Sequence, residues 1–343
     1  MPRRPPAVAR VLERVTKTAR DHEMFERGDL VLVACSGGPD SVCLVYSLWH
    51  LRRLFTMRLA VFHFDHRLRP DSRKDAAYVA NLAARLKLPL HLREAEDQPE
   101  KGASVEAWAT DARTRAADDV RRAAGADSIA EGHTLDDQAE TVLLNLIRGT
   151  GLEGIAGIEP SRPGSPRIVQ PLIEVTRAEV ESFCRALRLR PRRDPMNEDR
   201  RYLRAAIRHE VLPVLERETG RGVARSIART AELVRSDRDE LGAAAASAIE
   251  EIVGDGSPDE IRFEAGRLAA LPSQVASRVV RLAAYRWMAG GWTAPWSKDA
   301  IKAVLDLAEG RPGRRRDLPE GLKAVREKEY VRVSRSSPDP RES

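Results

Sequence analysis

The sequence predicts an α/β protein: a doubly wound, mostly parallel sheet of Rossmann-like type, then a mainly helical accessory domain with a short β segment. Three observations lead there. Short apolar, β-branched runs alternate with helical stretches through the first half of the chain. A Gly-Gly turn ends the first of those runs and opens a helix. Beyond about residue 215 the alternation gives way to helical patterns, closed by a few strand-and-turn segments.

Taken in order, residues 6–27 carry an amphipathic helical pattern. VLVAC at 31–35 reads as an interior strand, followed by a helix over about 40–54. RLAVFHF at 58 precedes a helix over about 72–87, and LPLHL at 88 precedes one over about 104–124. DSIAEGH at 127 precedes a helix over about 135–148. The Gly- and Pro-rich stretch 148–167 reads as loop, and VQPLIEV leads into a helix over about 176–188. RPRRDPMNEDRR, 190–201, is polar, basic and broken by prolines, as expected of an exposed arm. From 202 to about 253 the pattern is helical, and IRFEAG begins a small strand with further helices behind it. RRRDLPEGLKAVREKEYVRVSR reads as short strands joined by turns. These readings place one domain over 1–215 with a basic arm at about 188–210, a second over 216–335, and a frayed tail at 336–343.

A chain of 343 residues with 42% apolar content can bury a good core. No apolar run is long enough to span a bilayer, and the basic N-terminus lacks a secretory apolar core, so a cytoplasmic protein without a membrane partner is expected. Cys35, Cys43 and Cys184 are scattered without CxxC spacing and read as small buried apolar residues. The net charge of +6 permits an acidic partner, and clustering is more telling than the total. Nine arginines face three acids over 185–208, and a second basic knot, RPGRRR, covers 311–316. Two basic runs outside a phosphate-binding core make nucleic acid a plausible partner.

Three stretches carry chemistry. In SGGPDS, 36–41, small residues and a helix start present backbone N–H groups to one concave point, which suits phosphate. HFDHRLRPDS, 63–72, sits at a strand end and helps shape a nucleotide pocket; its two histidines leave the strand in different directions, which disfavours zinc. In EGHTLDDQAET, 131–141, Asp136, Asp137 and Glu140 can share one side of the first helical turns. One such carboxylate would serve as a cap, whereas three beside a phosphate loop suggest a cation, either magnesium or a substrate ammonium. Doubly wound sheets gather such strand-end motifs at one rim.

Together, SGGPDS, HFDHRLRPDS, EGHTLDDQAETVLLNLIRGTGLEGI and PLIEVTRAEVESF resemble the PP-loop ATP pyrophosphatases and, within them, the tRNA(Ile)-lysidine synthases. The similarity is densest over 28–215. It implies an ATP-dependent ligase that joins free lysine to the wobble cytidine of the CAU-anticodon isoleucine tRNA. An adenylated cytidine would be the intermediate, with AMP and pyrophosphate released. Carried over by position, Ser36, Gly37, Gly38, Pro39, Asp40 and Ser41 would cradle the ATP phosphates, with His63 and His133 near the nucleotide and Asp40 on magnesium. Asp137 and Glu140 would receive lysine, supported by Asp136, and the resemblance adds Arg113 to the catalytic set. Around Arg113, Glu106 and Ala109 match the family pattern while Thr110 and Thr114 depart from it. Arg190, Arg192, Arg193, Arg204 and Arg208 would contact tRNA, with Ala205 standing where an asparagine is usual. A homodimer is compatible with this reading. The alternatives are a PP-loop tRNA thiolase, which would need sulfur-carrying or cluster-holding cysteines, and a non-catalytic, nucleotide-dependent RNA-binding protein.

Overall fold

The structure is a computed structural model that describes residues 4–68, 71–99, 104–162, 164–192, 203–220, 222–257, 259–288 and 296–335. Arg193 and the tail 336–343 therefore lie outside the described residues. The chain divides into two compact units, Met1–Leu233 and Val234–Ser343.

In the first unit, helix α1 (Pro6–Asp21) buries Val8, Val11, Leu12, Val15 and Ala19, the one-sided stripe its sequence spacing demands. Strands β1 (Leu30–Ala34), β2 (Arg58–Asp65), β3 (Leu90–Glu94) and β4 (Ser128–Ala130) alternate with α2 (Pro39–Leu51), α3 (Ser72–Leu86) and α4 (Val105–Ala124). Helix α5 (Leu135–Ile147) follows β4, then a short α6 (Leu152–Ile155), β5 (Ser161–Arg162), β6 (Arg167–Val169) and α7 (Arg177–Ala186). The strand order is β3-β2-β1-β4-β6-β5, parallel throughout except for β5. The expected 148–167 loop thus contains a helical turn and an antiparallel edge strand, both too short for periodicity to reveal.

Val31 and Val33 of β1 face one layer with α1, α2, α3 and α7, while Leu32 faces the other layer with Ala117 and Val120 of α4. Covered on both faces, β1 reads as a continuous apolar run. From β1 the chain builds outward through β2 and β3, then crosses to β4 on the other side. The crevice beyond the carboxyl ends of β1 and β4 is therefore the switch point where ligands bind in such sheets.

Helix α8 (Leu203–Ala206), a π-helical turn (Ile207–Val211) and α9 (Leu212–Thr219) run directly into one another, and α10 (Val223–Ile252) comes next. Ile207, Leu212, Val223 and Ile227 pack on Ala139 and Leu143 of α5, so the first compact unit runs on into α10.

The second unit pairs β7 (Val253–Ser257), β8 (Glu260–Glu264), β9 (Arg315–Leu318), β10 (Leu322–Arg326) and β11 (Tyr330–Arg335) in an antiparallel sheet ordered β7-β8-β11-β10-β9. Ile261, Phe263, Leu322, Ala324, Val331 and Val333 alternate onto one face. There they meet α11 (Ala265–Ala270), α12 (Ser273–Met288), α13 (Lys298–Ala308) and the end of α10. Among the described residues no helix is long and apolar enough to cross a membrane.

Candidate active site

The ladder of β1 ends as the Cys35 N–H donates to the Phe62 carbonyl at 2.8 Å. Gly37 then adopts φ +91°, which L side chains rarely do, although a Cβ there would meet its neighbours at ordinary distances of 3.5–3.7 Å. Conformation, not space, requires glycine here. Gly38 caps α2 and Pro39 occupies its first turn. The Gly38 N–H donates to Ser36 Oγ at 3.3 Å, the Ser36 and Ser41 hydroxyls lie 3.2 Å apart, and Ser41 Oγ donates to the Gly38 carbonyl at 3.0 Å. These bonds hold a tight loop over the N-terminus of α2, whose free N–H groups and dipole favour an anion.

Two neighbours brace this loop. His63, 4% exposed, bonds through Nδ1 to the Cys35 carbonyl at 2.7 Å, so it buttresses the loop from β2. Arg192 donates its backbone N–H to the Gly37 carbonyl at 2.9 Å and its Nε to Asp75 Oδ1 at 2.8 Å. The start of the basic arm is thus pinned to the phosphate loop, while Arg190 is exposed.

Asp40 lies in the first turn of α2. Burial, reinforced by the charge of Asp137 and offset in part by Arg177 and Arg208, pushes its carboxyl up to about 6. Its Oδ1 is buried and has no hydrogen-bond partner among the described residues. A hard oxygen held in that state fits a divalent cation such as magnesium, which would supply the missing partner and restore the charged form.

The acidic cluster lies alongside: a Cβ on Gly132 would come within 3.3 Å of the Asp40 carbonyl carbon. A side chain here would press on the α2 backbone, so glycine eases the close passage of the segment between β4 and α5. Thr134 caps α5 in a capping box, its N–H and Oγ donating to Asp137 Oδ2 at 2.8 and 2.7 Å. Asp136 Oδ2 accepts the backbone N–H of Arg177 at 2.7 Å. Asp137 Oδ1 and both Glu140 oxygens turn toward three guanidinium groups. Arg177 reaches Glu140 Oε1 and Asp137 Oδ1, both at 3.3 Å. Arg204 Nε donates to Glu140 Oε2 at 3.2 Å, and Arg208 forks onto both Glu140 oxygens at 2.7 Å. Arg208 also reaches Asp137 Oδ1 at 3.2 Å.

Glu140 is fully buried, and such a charge is tolerable only when paired in this way. Burial raises the Asp137 carboxyl, but Arg177, His133, Arg204 and the Thr134 N–H outweigh it and hold it below its ordinary range. Arg204 and Arg208, expected on an RNA-contacting arm, instead point into the acidic cluster from α8 and the π-helical turn. A π-helical turn at this point aims Arg208 inward.

The structure therefore brings together Ser36–Ser41, His63, the 133–140 cluster, Arg192, Arg204 and Arg208. Arg113 stands apart on α4, half-buried and making no ion pair with the cluster among the described residues. Sequence reading missed Arg177, Glu131 and Gln170. The T-x-x-E capping box of α7, Thr176 to Glu179, marked the helix start that carries Arg177. Nothing local marked Gln170, which is 4% exposed. The three cysteines are buried thiols, Cys35 pushed up to about 11 and Cys184 to about 12 by burial, so neither is a ready thiolate.

A glycine-rich strand-to-helix loop at the switch point of a parallel sheet is a nucleotide-binding arrangement, and residues 8–215 match the family described as a PP-loop domain, to which the chain belongs. Membership of that family makes ATP its nucleotide. The chain belongs more narrowly to the tRNA(Ile)-lysidine synthases. It is 38% identical over 341 residues to the tRNA(Ile)-lysidine synthase of Symbiobacterium thermophilum, covering 96% of this chain and 70% of that protein. It is also 38% identical over 318 residues to the one of Solibacter usitatus, covering 90% and 68%. Among solved structures, the U34-tRNA thiolase NcsA of Methanococcus maripaludis, with its [4Fe-4S] cluster, superposes with a TM-score of 0.58. At 20% identity, over 67% of this chain and 79% of that one, this is a likeness of fold alone.

Proposed function

We propose that this protein ligates free lysine to the wobble cytidine of the CAU-anticodon isoleucine tRNA, consuming ATP and releasing AMP and pyrophosphate. The observation that carries the reading is the close approach of Gly132 to the Asp40 backbone, with the charges of Asp137 and Asp136 felt at Asp40, so that the acidic cluster lies beside the phosphate loop. One pocket can then hold an activated nucleotide and an amine nucleophile together. The resemblance to thiolases carries less weight, since Cys35, Cys43 and Cys184 are buried thiols and family membership points elsewhere.

A cytosine carbonyl oxygen is a poor leaving group, so the ring is first adenylated. The N-terminus of α2, with the Ser36 and Ser41 hydroxyls, would bind the phosphates and stabilise charge as pyrophosphate departs. Magnesium, held through Asp40, would neutralise charge on those phosphates. Lysine would enter against Asp137 and Glu140. With three arginines already on those carboxylates, the ammonium has to share or displace at least one guanidinium. Arg204 and Arg208, from the helices after the basic arm, are suited to yield once tRNA phosphates compete for them, and Arg190 and Arg192 would extend the same RNA surface.

The decisive experiment combines the purified protein, ATP, magnesium, radiolabelled lysine and a CAU-anticodon isoleucine tRNA transcript. Lysine should enter the tRNA with equimolar AMP. Transfer to a transcript with a different wobble base, or none at all, would refute the proposal.

A further inference from the structure

Beside the acidic cluster lies a hydrogen-bonded relay that the reaction as described so far leaves unused. Gln170, just beyond β6, donates Nε2–H to Glu131 Oε2 at 2.9 Å, and its Oε1 lies 3.0 Å from His133 Nδ1. The donor sense of each bond follows from chemistry. An ionised carboxylate only accepts, so the Gln170 amide must turn its NH2 group to Glu131 and its oxygen to His133. That carbonyl oxygen also only accepts, so His133 Nδ1 must carry the hydrogen. The neutral ring is left with its lone pair on Nε2. The His133 side chain is 33% exposed, whereas Gln170 is buried, so a fixed support holds a ring that remains accessible.

The carboxylates nearby are poorly placed to take a proton. Asp137 Oδ1 meets Arg177, Arg204 and Arg208, and its Oδ2 holds both Thr134 donors. Each Glu140 oxygen receives two guanidinium groups. Protonating either acid would forfeit those bonds. Asp136 already accepts the Arg177 backbone N–H on Oδ2, and Asp40 Oδ1, buried and without a hydrogen-bond partner among the described residues, reads as the cation's ligand. His133 is near enough to Asp137 for the charge that the ring gains on protonation to be felt there. An ammonium drawn to Asp137 would therefore lie beside the ring.

We infer that His133 Nε2 accepts the proton of the lysine side-chain ammonium, and that Gln170, backed by Glu131, is a positioning residue that keeps Nε2 unprotonated for that task. This rests on the lysidine-forming reading above. The ammonium passes one proton to Nε2, and the freed lone pair forms the C–N bond at the activated ring carbon. The C–O bond to the adenylate then breaks, its electron pair leaving on AMP. From ordinary lysine to ordinary imidazole the transfer runs uphill by about 4 pH units, and attack on the activated carbon by the fraction of free amine draws it forward.

The test uses the full chain with three variants. Gln170→Met keeps length and volume without the amide, and Gln170→Leu serves as a second form should it fold poorly. His133→Asn keeps an Nδ donor for Gln170 but has no counterpart of Nε2. Long-range 1H–15N correlation of the ligand-free protein should show His133 protonated at Nδ1, and the Gln170 variants should lose that bias. In rapid quench with the CAU-anticodon transcript, lysine transfer should fall further than lysine-free pyrophosphate release does in every variant. Lysine transfer should fall by about 10²–10⁴ in His133→Asn and by about 10–10² in the Gln170 variants, with part of the loss recovered by a lysine analogue of lower side-chain pKa. A wild-type ring protonated at Nε2 would overturn the inference even if lysidine forms. So would variants that slow both steps equally or raise only the KM for ATP, since either makes His133 a nucleotide contact. If the wild type forms no lysidine, the underlying reading fails and the acceptor role fails with it, whatever the tautomer.

Discussion

Replacing Asp40 with asparagine should stabilise the ligand-free protein while abolishing its chemistry. Burial, with the charge of Asp137 beside it, lifts the Asp40 carboxyl from 3.8 to about 6. Ionising it in the fold therefore costs on the order of 3 kcal/mol more than in the unfolded chain, at about 1.4 kcal/mol for each pH unit of displacement. Because the folded pKa is the higher one, the folded state binds more protons between pH 4 and 6. The associated stability is full below about pH 4 and is lost as pH rises through 6. Asparagine has nearly the same shape and never ionises. Asp40→Asn should match wild type near pH 4 and exceed it by up to about 3 kcal/mol at pH 7.5, several degrees in Tm for a unit of this size. Adding ATP with magnesium should narrow the gap, since the ligands bind wild type and not the variant. Thermal unfolding of both proteins from pH 4 to 7.5, with and without ligands, reads all of this, alongside pyrophosphate release. An advantage that is absent at pH 7.5, or equal at every pH, would refute a strained, cation-seeking carboxylate at this position.

Glu140→Gln leaves three guanidinium groups with one fewer anion, so stability should fall by about 3–5 kcal/mol and the KM for lysine should rise well above that for ATP. Unchanged unfolding would contradict the buried network. Arg208 forks onto Glu140 while Arg204 makes one bond to it at 3.2 Å, so Arg208→Ala should lower the melting temperature more than Arg204→Ala does. The reverse order in a melting assay would count against the pairing described. Arg190→Ala should make the dependence of log tRNA affinity on log salt shallower by about 0.7–0.9. Arg192→Ala should change that slope less, because Asp75 already holds its side chain, and should raise the KM for ATP by loosening its grip on the phosphate loop. Equal slopes for the two variants, measured by filter binding across ionic strengths, would remove the distinction.

What the sequence determined by itself is local. Strand β1, its glycine turn and α2 are legible because burial on both faces demands an unbroken apolar run, and the turn demands small residues in consecutive positions. The helices after β2, β3 and β4 begin and end within a few residues of where periodicity and caps put them, since those signals act over one turn. The acidic trio was visible too, and so was the choice between cap and cation site. Tertiary structure showed that Asp137 does both, capping α5 with Oδ2 while Oδ1 faces arginine. The identity of those arginines was out of reach. Arg177, Arg204 and Arg208 lie 37, 64 and 68 residues from Glu140, and no periodic pattern spans such distances. Gln170 and His133 likewise meet only because β4 and β6 are neighbours in the sheet. A buried charge or a bare imidazole nitrogen is defined by what surrounds it in space. Sequence supplies the groups, and the crossing of the chain at β1 and β4 decides which of them share a low-dielectric pocket and must satisfy one another there.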